Sequence, residues 1–230
     1  MKLEVIVTNP AIDWMESILC RGSGSCKDVQ ITVTKDVPRW ATNRGLLVGE
    51  LECESPESCR NGMFDLGAGV QFARCSCGRK SSKSCENLLG VKGCLGGLQK
   101  LECVGSGACD GMTETVVNPQ RDFQVICGND NSCTDFTLNI EVDPSRGAVP
   151  EFFKGIVCAA PKACNNLRVN INNTSPTRIA GGFVECSPQS SCVSAQFNYH
   201  GVDLDYVKCG ESSSCVDCTK VIDGSSRPCE

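Results

Sequence analysis

One phrase constrains this chain more than any other: an apolar residue, any residue, Cys, five residues, Cys, with a small residue just before the second Cys. It occurs at Cys20/Cys26, Cys53/Cys59, Cys103/Cys109, Cys127/Cys133, Cys158/Cys164, Cys186/Cys192 and Cys209/Cys215. The small residue is Ser25, Ser58, Ala108, Ser132, Ala163, Ser191 and Ser214 in turn. The apolar residue two before the first Cys is Ile18, Leu51, Leu101, Val125, Ile156, Val184 and Val207. Matches at three fixed offsets define a repeat. An eighth copy, Cys77/Cys85, carries a two-residue insertion and keeps Ser84 before its second Cys. First cysteines then recur at a mean interval of 27 residues, within the period range of stacked-repeat folds.

Around the phrase the hydrophobic pattern has period two. Val29, Ile31 and Val33 alternate after the first copy. Phe136, Leu138, Ile140 and Val142 do so after the Cys133 copy, Leu167, Val169 and Ile171 after Cys164, and Ala195, Phe197 and Tyr199 after Cys192. Such alternation marks strands with one buried face. Second short strands precede most first cysteines, as in Leu46 to Leu51 and Phe123 to Ile126. Turn residues and length variation gather elsewhere, at Val37-Pro38, Asn118-Pro119, Asp143-Pro144-Ser145, Val149-Pro150 and Asn173 to Pro176. Insertions confined to one side of the unit are how solenoid loops behave.

A unit this short cannot bury its apolar face alone, so neighbouring units must stack. The expected fold is all-β: a disulfide-stapled parallel β-helix, or β-solenoid, of about eight coils with a C-x5-C corner in each. At a strand spacing of ~4.8 Å the rod would be roughly 40 Å long. The alternative is a row of antiparallel hairpins turning at the C-x5-C loops. Residues 1–230 read as one domain, with 1–19 an N-terminal cap or strand, 20–217 the coils and 218–230 a C-terminal disulfide loop.

The chain has 20 Cys in 230 residues, a density that marks a disulfide-built protein from an oxidising compartment. Secreted, cell-surface and virion-assembled proteins fit. The start, Met1-Lys-Leu-Glu-Val-Ile-Val-Thr, lacks the pattern of an export signal, so the sequence reads as a mature fragment or part of a longer chain. Net charge is −5 with no Lys/Arg run, which argues against a nucleic-acid partner. No apolar stretch approaches the ~18–20 residues of a membrane helix, so no membrane insertion is expected.

The paired cysteines are expected to close locally, with Cys77–Cys85 the irregular member. The remaining four are assigned to Cys75–Cys94 and Cys218–Cys229. A rival pattern links cysteines between coils, because strand spacing also falls inside the Cα window of a disulfide. Metal binding is the other rival, through Cys215-Val-Asp-Cys218 and Cys75-Ser-Cys77. One His and the absence of paired zinc spacings argue against it, so no metal and no cofactor are expected.

Repeated short strands with small-residue corners, including Leu95-Gly-Gly-Leu98 and Gly181-Gly-Phe183-Val184, resemble right-handed parallel β-helix proteins of the pectate-lyase-like and surface-adhesin kind. The resemblance spans residues 17–222 and concerns architecture. It implies a parallel coil, and among its functions sugar-chain cleavage or adhesion.

His200, Asp203 and Asp205 form the one cluster with a base and carboxylates, as paired carboxylates would serve glycoside cleavage. A polar solvent-facing corner is the preferred reading, and no catalytic residue is assigned. Gly22-Ser-Gly24 and Gly105-Ser-Gly107 lack nucleophile-elbow spacing and read as corner loops. Asn129-Asp130-Asn131 with Asp143 has too few acids for a calcium site. Asn172 and Asn173 head overlapping glycosylation sequons, of which Asn172 is preferred because Ser175-Pro follows the second. No Thr ladder recurs, which sets ice binding aside.

The expected function is a non-enzymatic extracellular structural protein, the building block of a surface layer, fibre or appendage. Its expected partners are further copies of itself or other structural proteins. The alternative is a carbohydrate-binding adhesin using the connections at 34–45, 143–155 and 172–182. A polysaccharide-cleaving enzyme ranks third.

Overall fold

The computed structural model describes residues 2–7, 14–35, 46–66, 70–77, 85, 89–92, 100–117, 123–143, 152–187, 189, 191–203, 206–211 and 213–229. In chain order the strands begin with β1 (Lys2–Val7), β2 (Trp14–Cys20), β3 (Gln30–Lys35), β4 (Leu46–Cys53) and β5 (Met63–Leu66). They continue with β6 (Val70–Cys77), β7 (Leu89–Lys92), β8 (Lys100–Cys103), β9 (Thr113–Val117) and β10 (Gln124–Cys127). Next come β11 (Thr137–Val142), β12 (Phe152–Cys158), β13 (Arg168–Asn173), β14 (Ile179–Cys186) and β15 (Gln196–His200). The last are β16 (Val202–Asp203), β17 (Tyr206–Cys209), β18 (Thr219–Ile222) and β19 (Ser225–Pro228).

They form two sheets that the chain visits alternately. Sheet A runs β1-β3-β5-β7-β9-β11-β13-β15-β18-β19, and sheet B runs β2-β4-β6-β8-β10-β12-β14, followed by β16 and β17, which both pair with β14. Among the described strands every pairing is parallel except β18 with β19. The protein is therefore a parallel β-solenoid, and the hairpin-row alternative fails. A corner leads from each sheet B strand into the next sheet A strand. The described connection 174–178, from β13 to β14, lies at the other ends of the strands.

Register follows the repeat. The first cysteines stand opposite one another from Cys20 through Cys53, Cys77, Cys103, Cys127, Cys158 and Cys186 to Cys209. A one-residue slip would turn each buried column to solvent, which is why alternation pins the register. Val29, Ile31, Val33, Phe136, Leu138, Ile140, Val142, Leu167, Val169, Ile171, Ala195, Phe197 and Tyr199 all lie inside. Leu51, Leu101, Val125, Ile156, Val184 and Val207 face them from sheet B. The interior is one narrow strip, drawn out along the stack.

Glu114 and Gly155 are departures from the simple alternation that bear on the packing. Glu114 points inward, in register with Leu138, and is buried; its Oε1 accepts the Thr115 N–H at 3.2 Å. Gly155 in β12 has φ of 129°, and a Cβ there would run into the carbonyl oxygen of Phe183 on β14. Only glycine permits that close approach of two strands.

The ends are asymmetric between the sheets. β1 lies one row beyond β3, which shares a coil with β2 at the edge of sheet B. At the other end β19 lies one row beyond β18, which follows β17 through a corner. Sheet A thus overhangs sheet B at both ends. Stacking a second rod in register on β17 would put its β3 where β19 lies. Antiparallel β19, with Pro228 and the Cys218–Cys229 clip, blocks that edge as natural sheets block exposed edges. Simple end-to-end growth, open on sequence grounds, requires β19 to be displaced and the incoming β1 to leave the row that β18 already holds.

Candidate functional site

The corners are the most regular chemistry in the molecule. Disulfides join Cys20–Cys26, Cys53–Cys59, Cys77–Cys85, Cys103–Cys109, Cys127–Cys133, Cys158–Cys164, Cys186–Cys192, Cys209–Cys215 and Cys218–Cys229. Among the described residues no cysteine is free. Cys94 lies outside the described residues, and with it the expected Cys75–Cys94 bridge. Cys75 itself stands in register between Leu51 and Leu101.

The corners also hydrogen-bond to one another, so the sheet ladder continues around the bend. The Cys26 N–H donates to the Ser58 carbonyl at 2.6 Å, Cys85 to Ala108 at 2.9 Å, and Cys109 to Ser132 at 2.7 Å. Cys133 donates to Ala163 and Cys164 to Ser191, each at 2.7 Å, and Cys192 to Ser214 at 2.8 Å. This explains the small residue before the second Cys. Its carbonyl receives the coil beneath, and its side chain is sealed between two corners. Ser58, Ala108, Ser132, Ala163, Ser191 and Ser214 are all buried, whereas Ser25, in the corner that no other underlies, is exposed.

A second corner signal went unread in the sequence. The residue two after the second Cys is left-handed: Asp28, Asn61, Gly111, Asp135, Asn166, Ser194 and Asp217, with φ between 52° and 65°. Asp, Asn and Gly tolerate that conformation best, and the position is dominated by them. Their side chains link coils. Asn61 Nδ2 donates to Asp28 Oδ1, and Asn166 Nδ2 to Asp135 Oδ1, both at 3.0 Å. Lys27 donates to Glu57 one corner up at 2.8 Å, and this hydrogen bond is the main reason that the Glu57 carboxyl is held below its ordinary range. On the outer face of sheet A, Asn139, Asn170 and Asn198 form an amide ladder with 2.8 Å steps.

Three sulfur groups come within 4.8 Å of one another: Cys20/Cys53/Cys59, Cys53/Cys77/Cys85 and Cys158/Cys186/Cys192. Each of these sulfurs is in a disulfide, so none offers a thiolate to a metal. Cys215 and Cys218 of the C-x2-C are likewise bonded, to Cys209 and Cys229.

The His200–Asp203 cluster bridges the two sheets, His200 ending β15 of sheet A and Asp203 lying in β16 of sheet B. Arg178, distant in sequence, neutralises it: Nε lies 2.5 Å from Asp203 Oδ1, Nη1 lies 2.8 Å from Asp223 Oδ2, and Nη2 donates to the Val202 carbonyl at 3.0 Å. Asp223 Oδ1 accepts the Gly201 N–H at 2.9 Å and lies 3.4 Å from His200 Nδ1. The Gly201 N–H first, and Arg178 next, hold the Asp223 carboxyl below its usual range, while the same carboxylates hold Arg178 in its charged form. The structure thus gives Asp203 a guanidinium partner; Asp205 lies outside the described residues. In the interior, burial pushes the Tyr199 phenol well above its ordinary range, which suits a packing role.

Asn129 to Asn131 occupy a corner, and Asp143 follows the far end of β11. A six-residue strand, ~20 Å at 3.3 Å per residue, separates them, so they do not form one calcium site. Gly22 and Gly105 accept the N–H of Ser25 and Ala108 within their corners.

The two sequon asparagines differ sharply. Asn172 is exposed. Asn173 is buried, and its Nδ2 donates to the carbonyls of Gly201 at 2.7 Å and Thr177 at 2.8 Å. Its Oδ1 accepts the Ser175 N–H at 2.9 Å. Asn173→Ala orphans those groups and should lower stability by about 1–3 kcal/mol in denaturant titration, with Asn172→Ala within about 0.5 kcal/mol of the parent.

The fold and the corners define the class: an all-β, disulfide-stapled parallel β-solenoid. Comparison with protein-family models, with curated proteins and with solved structures finds no match. Disulfides at this density are typical of extracellular proteins.

Proposed function

We propose that this protein is a non-enzymatic extracellular structural element, a stapled rod that serves as a building block of a surface layer, fibre or appendage. The observation that carries the reading is the unbroken column of stapled corners, which rigidifies a stack whose apolar strip is thin. Its place is a cell or virion surface, and Asn172, exposed on β13, is the glycan acceptor if the chain is glycosylated.

The overhang of sheet A favours contact through the sides of the rod. Sheet B offers two outward apolar pairs in its C-terminal half, Ile126 in register with Val157 and Phe183 in register with Tyr206; Tyr206 is 51% exposed, and its ring stacks on Phe183 at 5.9 Å. Sedimentation velocity across the micromolar range should show concentration-dependent association, which Tyr206→Asp weakens at least tenfold. A strict monomer through that range, with the bridges intact, would remove the structural reading.

A second reading, an adhesin that holds glycans, draws support from a polar groove along the corner edge. The groove encloses about 510 Å³ and is lined by Asp135, Thr137, Asn166, Arg168, Ser194 and Gln196. It lies on the stapled edge, not on the long-connection edge that sequence reading favoured for a ligand.

A further inference from the structure

The N-terminal end of the stack leaves one step unfilled. Sheet A begins a row earlier than sheet B, so among the described residues β1 has no sheet B strand and no corner in its own row. The interior coils show what such a strand and corner would meet. There the residue after the first Cys donates its N–H to the first Cys of the coil beneath, as Glu54 does to Cys20 at 3.2 Å and Val104 to Cys77 at 3.1 Å. The carbonyls just before and just after the second Cys accept from the coil beneath: Ser58 from Cys26 at 2.6 Å, Arg60 from Asp28 at 3.0 Å, Ser132 from Cys109 at 2.7 Å and Thr134 from Gly111 at 2.9 Å. In the first corner the equivalent groups are the Arg21 N–H and the carbonyls of Ser25 and Lys27, and no described residue meets them with a backbone hydrogen bond. Burial marks the same gap. Leu51, Leu101, Val125, Ile156 and Val184 are sealed at 0–2% exposure, whereas Ile18, their counterpart in the first coil, is only partly buried. Ser25 is exposed where Ser58, Ser132 and Ser191 are buried, and Leu19 nearby is 42% exposed. The last coil differs, since its counterparts Val207 and Ser214 are buried.

We propose that this step is a docking site for a different chain, which contributes one extended segment ending in an oxidised C-x5-C corner. An open edge is a template for pairing with another chain, and strand addition joins main chain to main chain. The segment adds a parallel strand to β2 and a corner beneath Cys20–Cys26. Three features of the step specify it. An apolar residue two before its first Cys covers Ile18, as the interior coils cover one another. Its corner N–H groups meet the Ser25 and Lys27 carbonyls, and its first-Cys carbonyl accepts the Arg21 N–H, so backbone groups at this end are satisfied. The segment stops or turns away beyond its corner, because β1 already holds the sheet A row that it would enter next. That last condition excludes the end of a second copy, whose β18 would fall in the row of β1 and whose β19 would fall in the row of β3. The site is separate from the side of the rod at Tyr206 and does not depend on lateral association.

The probe is a synthetic peptide of the chain's own phrase, residues 123–134 with the Cys127–Cys133 bridge closed, added to the intact protein. It should bind saturably, and amide hydrogen exchange read by NMR should slow about tenfold or more at Arg21. No binding, or binding that leaves Arg21 exchange unchanged, would overturn the site. The reduced and alkylated peptide should bind about tenfold more weakly, because its corner is no longer preformed. Equal binding of the two peptides would overturn the requirement for a stapled corner. Ile18→Lys puts a charge where the apolar residue of the segment packs and should weaken binding about tenfold or more, while Tyr206→Asp leaves it unchanged. Equal binding by Ile18→Lys and the parent would overturn the placement on β2. Circular dichroism reports whether both variants keep their sheets, and the exchange measurement on the parent decides the matter if Ile18→Lys does not fold. Loss of self-association in Ile18→Lys but not in Tyr206→Asp, read by sedimentation, would show that a second copy fills the step and would overturn the choice of partner.

Discussion

Complete reduction and alkylation of the bridges is expected to abolish the cooperative thermal transition and most of the strand signal in far-ultraviolet circular dichroism. The physical reason is the shape of the core. A stack one apolar strip thick buries little per residue, as Ile31, Leu138 and Val169 face only the opposite sheet and the coils above and below. Each C-x5-C bridge closes a seven-residue ring, worth about 2 kcal/mol in the chain-entropy model. The whole stability of a domain is about 5–15 kcal/mol, so losing several such bridges exceeds the margin. Loss of one interior bridge, as in Cys127→Ser/Cys133→Ser, should lower the unfolding free energy by about 2 kcal/mol and leave the register of the remaining coils intact. A reduced chain that still melted cooperatively at the parent temperature would show that the strands alone sustain the rod.

Phe136→Ala should be the most damaging single side-chain truncation, at about 3–5 kcal/mol in chemical denaturation. Phe136 is fully buried, and its column runs through Met112, Phe136, Leu167 and Ala195, all sealed. The Thr137 N–H bonds to the Met112 carbonyl and the Arg168 N–H to that of Phe136, which holds the rows one strand spacing apart. The backbone ladder prevents the rows from closing over the cavity, so little of the loss is recovered. Arg168→Ala, on the outer face of the next coil, should stay within about 0.5 kcal/mol of the parent. Equal effects of the two substitutions would contradict a single narrow interior.

The corner is where sequence and structure meet most closely. Fixed spacing between cysteines, a small residue before the second and an apolar residue before the first are local demands, each visible in one copy and repeated in the rest. The left-handed residues after the second Cys were equally local. They went unread because Asp28, Asn61, Gly111, Asp135, Asn166, Ser194 and Asp217 share a backbone angle and no single side-chain class. Alternation likewise exposed the buried strand faces; Glu114 ran against it on an inward face, and Glu52 and Ser76 are buried beside the inward cysteines.

What the sequence determined by itself was the unit: strand, stapled corner, strand, and the need to stack. Those follow from forces that act within a few residues, namely pleat, ring closure and one-sided burial. Tertiary structure alone decided how units meet. It placed the strands in two sheets, let sheet A overhang at both ends, brought Arg178 to Asp203 and Asp223, and sealed Asn173 while leaving Asn172 in solvent. Such contacts join residues separated by about a coil or more, through connections of unequal length, so no fixed offset along the chain marks them. Their partners are chosen by the stacking of strands in space, which spacing along the chain does not encode.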